Sequence, residues 1–407
     1  MTELTNVPGG VCAPKGFMAA GVHCGVRKNH LKKDIALIKS DVMCAAAACY
    51  TQNKVFGAPI TVTRKNIADG YAQAVIVNSG NANTCNSDGV EKAEKTCALA
   101  AAATGLNPDD FIIGSTGVIG QPIDMEPIAR GVNALPALLS YKGGLDAAEA
   151  IMTTDTVPKE AAYRALIGGK TVTVGAIAKG SGMIHPNMAT LLSFLTTDAA
   201  IAPAMLQSAL SLVVKDTFNM ISIDGDSSTN DTVAILANGL AGNPEITEQN
   251  ADYKAFCALL TKTLTDISRM IAGDGEGATK LLTCNVKNAP TDALARKIAK
   301  SVICSSLVKA AMFGADANWG RILCAIGYTE GDFAIDTIAV DISSEAGSIH
   351  VCEHGAGVPF SEEQAKRVLL AGEIVIDIDM RQGEANATAW GCDLTYDYVK
   401  INGDYRT

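Results

Sequence analysis

Aromatic residues make up only 5% of this chain and charged residues only 19%. With so few large rings, the interior must be filled by small aliphatic side chains, Ala and Gly above all, so backbones are expected to pack closely. Basic clusters are missing too. A formal charge of -10 and a sequence pI near 5.1 exclude a nucleic-acid partner, whose binding relies on grouped Lys and Arg. No apolar run suits a bilayer: the uncharged stretch 180–197 is interrupted by Gly, His, Pro and Asn. No C-x-x-C pair supports a zinc or redox motif. No G-x-S-x-G elbow occurs, and GGKT at Gly168–Thr171 fails as a phosphate loop because Arg164 stands where its first glycine is required.

What is present describes a large globular protein. At 48% hydrophobic over 407 residues, the chain exceeds the usual size of one core, so two lobes are expected. The twelve cysteines are dispersed, and Cys97, Cys257, Cys304 and Cys324 sit in apolar patterns. Buried free thiols fit this better than a disulfide scaffold. The opening MTELTNVPGG has neither the basic nor the apolar region of a secretion signal, so a cytoplasmic location is expected. Alternation predicts strands at 60–64, 74–78, 171–178, 335–342, 374–380 and 394–401. Helical spacing predicts helices at 90–104, 203–217, 253–271 and 295–313, with a short one near 361–370. The elements mix without a βαβ rhythm, which predicts a mixed α+β protein with a second lobe starting near residue 280.

Several segments carry candidate chemistry. In KGSGMIHPNMAT (179–190), Thr190 follows a tiny Ala189 and a Pro-Asn turn. A Thr hydroxyl becomes a useful nucleophile when the Thr is an N-terminus whose own amine serves as base. Attack of that hydroxyl on the Ala189 carbonyl, followed by ester hydrolysis, would create such an end. Thr190 also reads as a helix N-cap or a strand residue in ATLLSFL. Lys179 ends the alternating strand TVTVGAIA and is expected at a solvated strand end. IIGSTGVIG (112–120) is expected to end a strand in a Ser-Thr-Gly turn whose N–H groups could meet a developing oxyanion. GDGEGATK (273–280) sets Glu276 among glycines that let backbone approach a substrate. DGDSSTND (224–231) has Thr229 where a calcium loop needs its turn glycine, so a polar turn is the better reading. In HVCEH (350–354), a strand would put His350, Cys352 and His354 on one face, which permits a metal without requiring it.

Taken together, NSGNAN (78–83), STG (115–117), KGSGMIHPNMAT, DGDSSTND, GDGEGATK and the closing INGDYRT (401–407) resemble the ornithine acetyltransferase (glutamate N-acetyltransferase) family over nearly the full length. The resemblance implies self-cleavage between Ala189 and Thr190 into an α chain of 1–189 and a β chain of 190–407. It makes Thr190 the nucleophile and Thr116 with Gly117 the oxyanion hole, and it lines the amino-acid site with Thr153, Lys179, Thr190, Glu276, Asn402 and Thr407. The adjacent Thr154 leaves the first of these open by one place. The implied reaction moves an acetyl group from N2-acetylornithine to glutamate in two steps through an acetyl-Thr190 intermediate, in arginine biosynthesis, without a cofactor or metal. Acetyl-CoA as a further donor stays open: no phosphate or adenine motif stands out, and a donor bound transiently needs none. The implied fold is α/β, a layered αββα sandwich (1–280) similar to N-terminal nucleophile hydrolases but differently connected, with a smaller C-terminal α+β lobe (281–407). The implied assembly is a heterotetramer of two αβ pairs.

Two rival readings remain at the level of sequence. One is a self-processing N-terminal-Thr amidase or aminopeptidase that passes the acyl group to water. The other is a non-catalytic binding protein in which Thr190 is structural.

Overall fold

The computed structural model describes residues 3–185 and 191–404. The elements in chain order are β1 (Thr5–Asn6), β2 (Phe17–Val22), β3 (Ile35–Tyr50), α1 (Ala58–Asn66), β4 (Tyr71–Asn81), α2 (Gly89–Thr104), β5 (Phe111–Val118), α3 (Met125–Ala134), α4 (Gly144–Ile151), β6 (Lys159–Ile167), β7 (Lys170–Lys179), β8 (Leu192–Thr197), α5 (Pro203–Val214), β9 (Ile221–Ser222), β10 (Thr232–Ala237) and α6 (Ala251–Gly273). There follow β11 (Leu281–Ala289), α7 (Asp292–Cys304), α8 (Ser306–Phe313), α9 (Trp319–Gly327), β12 (Ala339–Ser344), β13 (Gly347–Glu353), β14 (Ala356–Gly357), α10 (Glu362–Leu369), β15 (Glu373–Asp379), β16 (Ala385–Cys392) and α11 (Tyr396–Gly403). The fold is mixed α/β with two mixed sheets. The first compact unit takes the described residues of Met1–Gly180, Pro186–Asn219 and Ser227–Ile267. The second takes Ser181–His185, Met220–Asp226 and the described part of Ser268–Thr407.

In the first unit, nine strands among the described residues form one sheet, in the order β1-β6-β7-β8-β10-β3-β4-β5 with β2 beside β3. The sheet doubles over on itself. The Phe194 ring of β8 lies so close to Gly114 of β5 that a Cβ there would stand 3.0 Å from it, although β10, β3 and β4 separate the two strands. In a flat sheet they would be about 19 Å apart. Ala36, Ile38, Val75, Val77, Ile112, Ile177, Leu192, Phe194 and Leu236 fill the space between the halves. On the outer face of β3–β5, Ile35, Leu37, Ile76 and Phe111 pack on α1–α3 through Val62, Cys97, Ile128 and Val132. On the other side α5 sits against β3, with Gln207 Oε1 accepting from Ala48 N–H at 3.1 Å. There α6 meets β6 through a Tyr163–Asp266 hydrogen bond of 2.5 Å. The layers are therefore helix, sheet, sheet, helix. The alanine run 45–48 of β3 shows how the aromatic-poor composition is used.

In the second unit, seven strands among the described residues run in the order β14-β13-β12-β15-β11-β16-β9, with β11 parallel to β15 and antiparallel to β16. Leu294, Ala295, Ile298, Ala299, Val302 and Ile303 form the buried stripe of α7, which packs against β11 and β16.

Several elements depart from the sequence expectations. Residues 60–64 are helical, not extended, because Pro59 opens a helix at its first turn and Ile60, Thr63 and Asn66 then share its inner face. Residues 396–403 are helical as well: Thr395 caps the N-terminus, accepting from Tyr398 N–H at 3.3 Å, and Tyr396 and Val399 are exposed. The helix expected over 295–313 breaks at Ser305, whose hydroxyl caps α8. The strand expected from residue 335 begins at Ala339.

Truncation of the fully buried Phe194 to Ala opens a cavity between the two halves of the sheet. A loss of about 3–5 kcal/mol is expected, read by urea unfolding of the purified protein.

Candidate active site

Lys179 closes β7 as expected, but it is not solvated: only 8% of it is exposed. It acts electrostatically on two carboxyls of the first unit, Asp155 and Asp231. Asp155 forms an ion pair with Lys159 at 2.6 Å in which both side chains are inaccessible. Its Oδ1 also accepts from Gly180 N–H at 2.7 Å, and its Oδ2 from Thr153 N–H at 2.9 Å. Burial alone would push this carboxyl up, but the Lys179 and Lys159 ammoniums outweigh it and hold the value at about 2. Asp231 goes the other way. Burial pushes its carboxyl well above the usual carboxylate range, against the opposing pull of Ser228, Lys179 and Thr51. Two carboxyls shifted in opposite directions thus share the field of one ammonium. Thr153, held by Asp155 through its N–H, accepts from Arg27 Nη2 at its carbonyl, 3.1 Å away. Thr153 and Thr154 are both half-buried.

Ser115, Thr116 and Gly117 do not form the expected turn. They stay inside β5, paired in parallel with Asn78, Ser79 and Gly80 of β4, and the register slips at Gly80 and Asn81. Gly117 has φ +132° and Gly80 φ +97°, and a Cβ on Gly117 would run into the Gly80–Asn81 backbone. Only glycine suits that contact. The slip is held by side chains of the NSGNAN motif: Ser115 Oγ donates to Asn78 Oδ1 at 2.6 Å, and Asn78 Nδ2 donates to Asn81 O at 2.9 Å. Thr116 is buried beside it.

The second unit has its own constellation. Glu276 is 8% exposed; its N–H donates to Ser181 O at 2.8 Å, and its carboxylate accepts from Asn402 Nδ2 of α11 at 2.7 Å. A Cβ at Gly182 would collide with that carboxylate, so the G in KGSG is the space Glu276 occupies. The DGDSSTND motif divides between the units. Its Asp224 accepts from the N–H groups of Met183 at 2.6 Å and Ile184 at 2.9 Å and from the Tyr398 hydroxyl at 3.3 Å. His185 Nδ1 lies 3.1 Å from Ser222 Oγ. Burial, reinforced by Lys300, lowers its imidazole to about 4, so it is neutral near pH 7. Segment 181–185 is thereby tied at nearly every residue. Ala189, Thr190 and Thr407 lie outside the described residues.

His350 and Cys352 do not share a face. A bulge in β13 itself, where His350 to Cys352 face only Asp341 and Val340, breaks the alternation, leaving Cys352 buried and His350 exposed, 2.9 Å from Asp341. Among the described residues no group of His, Cys, Asp and Glu is placed to hold a metal ion. All twelve cysteines are free; Cys97 and Cys257 are buried, Cys304 half-buried and Cys324 exposed. Cys324 departs from its apolar pattern because it lies on the outer side of α9, whose buried side is Ile322, Ala325 and Ile326. Sequence reasoning missed Asp155 and Lys159, which no motif or periodicity marks, and gave Asp224 only the role of a turn residue.

A model of the ArgJ family matches residues 18–407. The chain belongs to the ArgJ family. Among its ArgJ relatives, the arginine biosynthesis bifunctional protein of Symbiobacterium thermophilum is 54% identical, covering 98% of this chain and 99% of that protein. The protein of the same designation from Geobacillus kaustophilus is 48% identical, covering 100% of this chain and 98% of the relative. A solved structure of the ornithine acetyltransferase of Mycobacterium tuberculosis, complexed with ornithine, is 35% identical and covers 46% of this chain and 100% of that one, with a TM-score of 0.42. No helix among the described residues is long and apolar enough to cross a membrane.

For this ArgJ chain, the depressed Asp155 carboxyl makes a prediction about acid stability. Its stabilising contribution is present above the unfolded value of about 3.9 and is lost as pH falls through about 2. Asp155→Asn is expected to cost about 3–5 kcal/mol at pH 7, because two buried ammoniums lose their counter-charge. Urea unfolding at stepped pH should show the gap to wild type narrowing below about pH 4.

Proposed function

We propose that this ArgJ acyltransferase of arginine biosynthesis cleaves itself before Thr190 and carries the acetyl group of N2-acetylornithine on that residue. The Thr190 α-amine takes the Oγ proton, and Oγ attacks the acetyl carbonyl while Thr116 and Gly117 hold the oxyanion. The C–N bond breaks, ornithine leaves with the proton on its α-amine, and the acetyl group remains as a Thr ester. Glutamate then enters and its α-amine attacks the ester. N-acetylglutamate leaves and the Oγ regains its proton. Lys179 takes the α-carboxylate that both amino acids carry, and Glu276 takes the ornithine side-chain amine. Thr153, Asn402 and Thr407 complete the amino-acid site.

What supports this assignment most is the 2.7 Å hydrogen bond between Asn402 and Glu276. These two residues, far apart in sequence, are given to one amino-acid site by the family resemblance, and they meet where the exposed Asn402 reaches the buried Glu276 carboxylate beside Gly182. The burial of Lys179 also favours a role, since a lysine kept from water has already lost much of its hydration and pairs strongly with a carboxylate. The designation of the relatives as bifunctional supports a second activity, acetylation of glutamate from acetyl-CoA. The free thiols fit a cytoplasmic enzyme, and two αβ pairs form its assembly.

Denaturing electrophoresis is expected to show two fragments near half the chain mass, the second beginning at Thr190 by N-terminal sequencing. Thr190→Ala should give one full-length band and no transfer. A single band in active wild-type material would overturn the mechanism, and hydrolysis of N2-acetylornithine outrunning transfer would replace the transferase by an amidase. Glutamate acetylation with acetyl-CoA alone tests the second activity. Glu276→Gln is expected to raise KM for N2-acetylornithine by about 10–100-fold, the worth of one hydrogen bond to a charged group, as read by steady-state kinetics.

A further inference from the structure

We propose that Asn230 is a positioning residue for Thr116 and Gly117, an inference that rests on the acyl-transfer reading above. β5 is the last strand of its sheet, so the backbone groups of its alternate residues face away from β4 and need partners from elsewhere. Side chains supply them in a regular series. Asn66 Nδ2 donates to Phe111 O at 2.8 Å. Thr63 Oγ1 donates to Ile113 O and accepts from Ile113 N–H, both at 2.9 Å. Asn230 Nδ2 donates to Ser115 O, again at 2.9 Å.

The third cap differs from the first two in what it is attached to. Ser115 O and Thr116 N–H are opposite ends of one planar peptide. A donor that holds this carbonyl away from β4 therefore turns the Thr116 N–H into the ladder with β4 and fixes the plane of the peptide that leads into Thr116. It also sets the Thr116 Cα from which the hydroxyl and the next peptide project. Asn66 and Thr63 have no such group beyond them.

Asn230 is itself locked. Its Nδ2 also donates to Ala82 O at 2.5 Å, while its Oδ1 accepts from Thr84 Oγ1 at 2.6 Å and Thr229 Oγ1 at 2.5 Å. The amide cannot flip without turning its oxygen onto two carbonyls. By bonding Ala82 and Ser115 at once, it clamps the strands on either side of the register slip where Gly117 meets Gly80. The side chain is 6% exposed, so water does not compete for these bonds. DGDSSTND, which the sequence offered only as a polar turn, acquires here a second role.

The test compares Asn230→Asp, which replaces the donating nitrogen by a carboxylate oxygen, with Thr63→Val, which removes the cap on Ile113, in the processed enzyme. Asn230→Asp is expected to lower kcat for transfer from N2-acetylornithine to glutamate by about 10-fold or more, short of the 10²–10³ for loss of an oxyanion donor itself. KM should stay within about twofold for both substrates, since the interaction is made in the transition state. The carbonyl stretch of ¹³C-acetyl-enzyme, accumulated with donor and no glutamate, should move to higher wavenumber as polarisation is lost. Thr63→Val should lower Tm and leave both readouts alone. Thr84→Val, which loosens the amide, should move kcat and wavenumber in the same direction by less, and it decides the matter if Asn230→Asp does not fold. Wild-type kcat and wavenumber in Asn230→Asp, or the same changes in Thr63→Val, would reduce Asn230 to a structural cap. Failure of the underlying acyl-transfer reading shows separately, as wild-type enzyme that acquires no ¹³C label on Thr190.

Discussion

A single ionised carboxylate, that of Asp155, organises the end of β7. Placing a charge where water is excluded is unfavourable unless every lone pair finds a donor and the charge finds opposite charges. Asp155 meets both demands with the Lys159 ammonium and the N–H groups of Thr153 and Gly180, inside the field of Lys179. Once these bonds form, the backbone just after Lys179 and around Thr153 has little freedom left. Burial pushes the Asp231 carboxyl the other way, well above the usual carboxylate range, within reach of the same ammonium.

Close approach is the other constraint, and the composition provides for it. Gly117 against Gly80, Gly182 against the Glu276 carboxylate and Gly114 against the Phe194 ring are all places where a methyl group would displace either a catalytic candidate or the core. The scarcity of aromatics and the abundance of Ala and Gly belong to the same design. Backbone is brought near backbone, and polar side chains then hold peptide groups at fixed angles, as the asparagines and threonines along the edge of β5 do.

Much of this was legible in the sequence. The strands at 74–78, 171–178 and 374–380 and the helices at 90–104, 203–217 and 253–271 lie within or across observed elements, because long runs with a clean period are decided by burial of one face. The helix at 60–66 was not, since its β-branched residues favour a strand until Pro59 and the edge of β5 that it caps are taken into account. The helix 396–403 also misled, as Tyr396 and Val399 are exposed rather than buried. Glu276 was singled out by its glycines, but its partner Asn402 was reached only through the family resemblance. Asp155 and Lys159 left no trace, since two opposite charges four residues apart read as ordinary surface until the fold closes over them. Nor could spacing reveal that 181–185 and 220–226 join the second unit.

The strand order of the first sheet gives the proposed break before Thr190 a particular meaning. β6 and β7 precede that point, β8 and β10 follow it, and β3, β4 and β5 precede it again. The two polypeptides left after scission are thus shuffled into one another like cards, joined along both the β7–β8 and the β10–β3 seams. A cut at that point in a folded chain would leave two polypeptides still stitched together by backbone hydrogen bonds on both seams.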